Sequence, residues 1–140
     1  MDTMRLVILG ATGSIGTQAL DVVRMHADKV EVVALAAGRR VDEAVAFARE
    51  FGCKHLAFGD EGVRDATALA QLDADVHVGF GSAAVAALTQ LDDVDVVLNA
   101  LSGEAGMRAS YDTLKAGRIL ALANKESLVV GGDLLMPLAQ

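Results

Sequence analysis

The sequence predicts an α/β fold with a doubly wound, mostly parallel sheet and helices on both faces. Three observations predict it. Apolar stretches of strand length alternate along the chain with amphipathic stretches of helix length. Gly or Asp marks most of the changes between them, as tight connections require. Two runs, Leu6-Val-Ile-Leu9 and Val94-Asp-Val-Val-Leu98, are the most strongly apolar, which suits strands covered on both faces and places them centrally.

In chain order, Arg5–Leu9 is read as a strand because its apolar run is short and ends in a glycine turn. Ser14–His26 follows as an amphipathic helix opened by a hydroxyl residue. Val30–Ala36 is a second apolar strand and Val41–Phe51 a second amphipathic helix. His55–Phe58 and Val76–Val78 are shorter strands on either side of Gly62–Leu72, read as a helix. Ser82–Leu91 is expected as a helix, Val94–Asn99 as a strand, Glu104–Lys115 as a helix with an acid in its first turn, and Arg118–Leu122 as a strand. Gly132–Ala139 closes the pattern as a helix interrupted only by Pro137.

The chain has 140 residues, no internal repeat, no low-complexity tract and a single proline, so one domain over 1–140 is expected. Hydrophobic residues make up 53 % of it and the mean hydropathy is +0.40. No apolar run approaches the ~18 residues that cross a bilayer, and the start lacks the length of a secretory signal, so a soluble, cytoplasmic protein is expected. A single cysteine, Cys53, excludes an internal disulfide framework and reads as a small buried hydrophobe. A net charge of −7 sets a repulsive field against nucleic acid and anionic membrane, so neither is expected as a partner. An anionic ligand must then meet locally placed donors. The chain ends inside an expected helix without a cap, and we read it as a fragment.

Gly10-Ala-Thr-Gly13-Ser-Ile-Gly16 lies between the first strand and the first helix. A tight turn needs a residue free of Cβ, backbone amides reach a pyrophosphate only where no side chain intervenes, and close helix packing needs a third small residue. This is the arrangement of a Rossmann-like dinucleotide site. Ser14 is placed to cap the helix and to meet a phosphate, Thr12 offers a second hydroxyl, and the helix N-terminus favours negative charge. At the end of the second strand a carboxylate would hold the ribose 2′-hydroxyl of NAD. The chain has Gly38-Arg39-Arg40 there instead, and guanidiniums match a phosphate, so NADP(H) is expected.

Two further constellations differ in weight. Tyr111 and Lys115 spell the Tyr-x-x-x-Lys pair of short-chain dehydrogenases, but they fall one β-α unit early and lack the accompanying serine upstream. An exposed helix face explains them. Asn124-Lys125-Glu126, by contrast, falls at the carboxyl end of a strand, where open α/β sheets bind ligands. Asn99, with the small residues Ala100, Ser102, Gly103 and Gly106 after it, is read as room for a flat ring against the backbone. His26, His55 and His77 are scattered and form no ligand set; each reads as a surface or structural histidine.

Gly10-Ala-Thr-Gly-Ser-Ile-Gly16, Ala100-Leu-Ser-Gly-Glu-Ala-Gly-Met107 and above all Leu122-Ala-Asn-Lys-Glu-Ser-Leu-Val129 resemble the amino-terminal domain of the 1-deoxy-D-xylulose 5-phosphate reductoisomerase family. The resemblance covers the whole chain and about the first third of a typical member. It implies an enzyme that depends on NADPH and on a divalent metal, Mg or Mn. Such an enzyme rearranges 1-deoxy-D-xylulose 5-phosphate, a small phosphorylated sugar, and reduces the product to 2-C-methyl-D-erythritol 4-phosphate on the way to isoprenoids; in full length it is a homodimer. Carried over by position, Gly10, Thr12, Gly13, Ser14 and Ile15 belong to the pyrophosphate turn. Gly38, Arg39 and Arg40 stand where the family has Gly-Lys-Asn beside the 2′-phosphate. Asn124 and Glu126 match cofactor contacts, and Lys125 matches a catalytic, substrate-binding position. The family's metal ligands and its substrate-phosphate donors have no counterpart in this chain, which by itself is expected to be inactive. Another Rossmann oxidoreductase, of the semialdehyde or homoserine dehydrogenase type, and a stand-alone nucleotide-binding sensor are the alternatives; Leu-Ala-Asn-Lys-Glu disfavours the first and Lys125 the second.

Overall fold

The computed structural model describes residues 3–101 and 103–122. Six strands form one sheet: β1 (Met4–Leu9), β2 (Val30–Ala37), β3 (His55–Phe58), β4 (His77–Phe80), β5 (Val96–Asn99) and β6 (Ile119–Leu122). They lie in the order β4-β3-β2-β1-β5-β6, and every neighbouring pair runs parallel. Helices α1 (Ser14–Met25), α2 (Val41–Phe51), α3 (Ser82–Ala87) and α4 (Gly103–Lys115) make the crossovers. None of these helices is long and apolar enough to cross a membrane.

The strand alternation explains why both faces carry helices. In β1, Leu6 and Ile8 point to one core and Val7 and Leu9 to the other, and all are buried. The first core is completed by Leu20 and Val23 of α1 and by Val41, Ala44, Val45 and Ala48 of α2. Ala109 of α4 and Leu88, just after α3, complete the second. A bulge in β2 interrupts the register: Leu6 pairs with Val32 and Val7 with Ala34, so Val33 is the extra residue. Arg24 of α1 ties the two helices of the first face together, since its Nη2 donates to Glu50 Oε1 at 2.8 Å and its guanidinium lies 5.2 Å from the Phe51 ring centroid.

Sheet order fixes where a ligand can enter. The chain steps outward from β1 through β2 and β3 to β4, then returns to place β5 on the other side of β1. The connections after β1 and β5 therefore leave in opposite directions, which opens a crevice at the carboxyl ends of those strands. The opposite edge of the same seam is bridged by Arg5 and Asp95. Arg5 Nε and Nη2 each donate to the Asp95 carboxylate at 3.2 Å, and the Arg5 amide donates to Asp95 Oδ2 at 2.9 Å.

Three expected elements differ. Residues 62–72 are not one helix but two 3-10 turns, Glu61–Val63 and Thr67–Gln71, separated by Ala66 in extended conformation. Asp60 starts the first of them by accepting the Gly62 amide at 2.7 Å. The expected helix 82–91 is α for its first part and 3-10 over Leu88–Gln90. The fourth strand lies at His77–Phe80, later than 76–78, because Phe80 stacks on Phe58 of β3 at 5.8 Å between centroids. The expected helix Gly132–Ala139 lies outside the described residues.

Candidate nucleotide cleft

The site begins with the turn after β1. The amides of Gly10 and Ala11 both donate to Ala36 O, each at 2.9 Å, so the loop is fastened to the end of β2. Gly10 has φ +84, and a Cβ there would stand 3.1 Å from the Ala100 carbonyl in the loop after β5. The Gly13 amide turns inward to Gly10 O at 3.2 Å, and Gly13 O accepts the Thr17 amide at 2.9 Å and the Thr17 hydroxyl at 2.6 Å. Gly13 is thus the N-cap of α1, with no side-chain cap bond. This corrects the capping role expected of Ser14, which is the first helical residue. The first-turn amides of Ser14, Ile15 and Gly16 have no acceptor within the helix, and those of Ser14 and Ile15 belong to exposed residues.

A cleft of about 790 Å³ opens at this turn, lined by Thr12, Gly13, Ser14, Thr17, Gln18, Gly38, Arg39, Arg40 and Glu43. It brings together the two sequence-predicted groups, the glycine turn and the Gly38-Arg39-Arg40 corner. Gly10 shapes the turn from beneath and does not line the cleft; Ile15 is 42 % exposed beside it and does not line it either. Thr12 lines the cleft although it is nearly buried. Arg40 is the N-cap of α2, and its Nη1 lies 3.7 Å from Glu43 Oε2. Thr17, Gln18 and Glu43 were not anticipated. A usable signal exists, since each lies three or four residues beyond an expected ligand on the same helix.

A second cavity of about 470 Å³ adjoins the first through Gly38, walled by small apolar residues that include Ala37, Val85, Ala86, Leu101 and Ala105. Asn99, at the crevice, proves structural. It is fully buried, its Nδ2 donates to Gly106 O at 2.7 Å and Ser110 Oγ at 2.9 Å, and its Oδ1 accepts the Leu101 amide at 3.1 Å. Gly106 serves packing too, because a Cβ there would lie 2.4 Å from Leu101 O. Asn99 and Gly106 are thus taken up by packing, whereas a Cβ at Gly103 would meet nothing within 4 Å. Ser102, Asn124, Lys125 and Glu126 lie outside the described residues.

The remaining polar residues stand apart. Tyr111 and Lys115 face solvent on α4, with Lys115 Nζ 5.8 Å from the phenol ring centroid. His55 and His77 stack at 5.2 Å on the opening residues of β3 and β4, at the sheet edge away from the cleft. Burial, and then the neighbouring His77, hold His55 below the ordinary imidazole range. Cys53 is enclosed in the first core, and burial pushes its thiol up to about 12, which leaves it protonated and inert at neutral pH. Among the described residues no group of three or more His, Cys, Asp or Glu is gathered to hold a metal ion.

Fold and cleft together define a Rossmann-like α/β domain with an open cleft beside a helix N-terminus at its topological switch point. The chain belongs to the 1-deoxy-D-xylulose 5-phosphate reductoisomerase family, whose sequence model matches residues 6–132. It is 47 % identical over 136 residues to the 1-deoxy-D-xylulose 5-phosphate reductoisomerase of Desulfitobacterium hafniense strain DCB-2, covering 97 % of this chain and 36 % of that protein. The solved reductoisomerase of Zymomonas mobilis in complex with NADPH superposes with a TM-score of 0.82 at 31 % identity, covering 98 % of this chain and 36 % of that one. A solved DOX-P reductoisomerase in complex with magnesium superposes with a TM-score of 0.81 at 33 % identity, covering 99 % and 35 % respectively. The chain therefore spans about a third of the length of the relatives it matches.

Proposed function

We propose that the cleft binds NADPH and that the chain is the cofactor-binding domain of a reductoisomerase. The whole enzyme would rearrange 1-deoxy-D-xylulose 5-phosphate and reduce the product to 2-C-methyl-D-erythritol 4-phosphate with the help of a divalent metal. The observation that carries the reading is the continuity of one cleft from the first turn of α1 to Arg39 and Arg40.

The residues fit the cofactor. A Cβ at Gly13 would meet only Gly10 O, at an ordinary 3.5 Å, and one at Gly38 would meet nothing within 4 Å; each glycine borders open space that a side chain would occupy. The pyrophosphate is assigned to the amides of Ser14 and Ile15 and to the hydroxyls of Thr12 and Ser14, with the helix dipole adding to their pull. The 2′-phosphate is assigned to Arg39 and Arg40. Adenine is assigned to the apolar cavity beyond Gly38. When bound, NADPH supplies the hydride. Asn124 and Glu126 are assigned to the redox end of the cofactor, and the Lys125 ammonium to the substrate oxygen, where it would stabilise developing negative charge. A metal and a sugar-phosphate site belong to the length of the relatives that this chain does not span. Membership of the family also supports a cytoplasmic homodimer as the working form.

Calorimetric titration of the chain with NADPH and NADH tests the assignment. NADPH should bind roughly tenfold more tightly or better, since charge-assisted hydrogen bonds contribute about 1.5–3 kcal/mol. Replacing Arg39 and Arg40 together by Ser should bring the two affinities level. An unchanged ratio would remove the 2′-phosphate from these side chains.

A further inference from the structure

We infer that Glu43 is a specificity-determining residue of the cleft, one that restrains the preference for a 2′-phosphorylated nucleotide; the inference rests on the assignment of Arg39 and Arg40 made above. Glu43 lies in the first turn of α2 and lines the same cleft as Ser14, Arg39 and Arg40. Its Oε2 stands 3.7 Å from Arg40 Nη1, and the two side chains are 54 % and 65 % exposed. An ion pair so open to water is weak and readily exchanged.

The pair acts oppositely on the two nucleotides. A phosphate that recruits Arg40 must draw the guanidinium away from Glu43 and then carry its own charge close to a carboxylate. Both effects oppose binding, though water keeps them small. A ribose that ends in a free 2′-hydroxyl meets no such conflict, because a carboxylate beside it can accept the hydroxyl proton. That is the part a carboxylate after the second strand plays for NAD. The Gly38-Arg39-Arg40 corner alone reads as a pure phosphate site; with Glu43 paired to Arg40 in the same cleft, the corner holds both recognition chemistries.

Among the described residues this carboxylate belongs to no core, and its ion pair is the exposed one with Arg40. The buried face of α2 is made by Val41, Ala44, Val45 and Ala48, and Asp42 supplies a second acid to the same helix end without lining the cleft. Glu43→Gln is therefore a folded variant, and Asp42→Asn is its control for net charge.

The chain, wild type and both variants, is titrated calorimetrically with adenosine 2′,5′-bisphosphate and with adenosine 5′-monophosphate. Glu43→Gln should tighten the bisphosphate about two- to fivefold, the range expected for relieving one exposed charge contact. It should leave the monophosphate unchanged or weaker, and Asp42→Asn should leave the ratio of the two affinities as it is. Bisphosphate affinity that stays level or falls in Glu43→Gln overturns the inference, and so does an equal gain in both variants. A wild-type chain that binds the two probes alike overturns the Arg39–Arg40 assignment, and the inference with it.

Discussion

The glycines of the first turn look equivalent in the sequence and are not. A Cβ at Gly16 would come within 2.2 Å of Gly10 O and 2.8 Å of Ala11 Cα, so that glycine exists to let α1 sit on its own entry loop. A Cβ at Gly13 meets nothing closer than 3.5 Å, so packing does not demand a glycine there, and the proposed phosphate approach would. Gly16→Ala should therefore destabilise the fold by about 1–3 kcal/mol, the usual cost of forcing a methyl into filled space. Gly13→Ala should keep its melting temperature while NADPH affinity falls by roughly tenfold or more, as a methyl replaces a close phosphate approach. Thermal melts beside cofactor titrations separate the two; a Gly13→Ala chain that melts early would mean the cleft is not what excludes the side chain. Residue type was a weaker guide at Asn99. Its place at the end of a strand suggested a ligand contact, yet its amide is consumed by Gly106 O and Ser110 Oγ, seven and eleven positions further on. Contacts at that separation are decided by how α4 packs, which no local pattern reveals.

Elements with strong periodicity were legible because a buried face dictates the spacing: the apolar runs gave β1 and β2 and the amphipathic stretches gave α1, α2 and α4 to within a residue or two. The segment between β3 and β4 was misread for a reason visible in its own spacing. Val63, Ala66, Leu69 and Leu72 recur every third residue, the period of a 3-10 helix, and successive i to i+3 bonds join them. A helix of 3.6 residues per turn would have spread them around its surface. The seam between β1 and β5 carries a prediction of its own. Hydrogen bonds from Arg5 hold the Asp95 carboxyl below its ordinary value of 3.8. A carboxyl depressed by folding contributes stability above that value and loses it as the pH falls through the lower, folded one. Asp95→Asn should unfold at lower urea than wild type at pH 7, and the gap should narrow below pH 3.8. A gap that is the same at pH 7 and at pH 3 would show that the charge on Asp95 plays no part.

For the molecule as a whole, the alternation of strands and helices sufficed to predict a parallel, doubly wound sheet, but not the order of its strands. That β5 returns past β2 and β3 to pair with β1 depends on contacts between residues some ninety positions apart, such as Arg5 with Asp95. The same return creates the crevice; the sequence pointed to Thr12, Gly13, Ser14 and the Gly38-Arg39-Arg40 corner, which line one cleft, but not to Thr17, Gln18 and Glu43 beside them or to its shape. In a full-length reductoisomerase carrying this domain, Lys125→Ala should lower kcat while NADPH affinity is nearly unchanged, and steady-state kinetics with cofactor titration checks both. Weakened cofactor binding with normal turnover would move that side chain away from the reacting end.

The loop fastened to Ala36 also bears on how binding proceeds. Two of its amides are already held by Ala36 O, so if the cleft takes a nucleotide as proposed, the entropy of ordering that part of the loop is lost on folding and not at each encounter. Under the proposed role, capture at this terminus would cost the loop little ordering, and the small molecule would do most of the adapting.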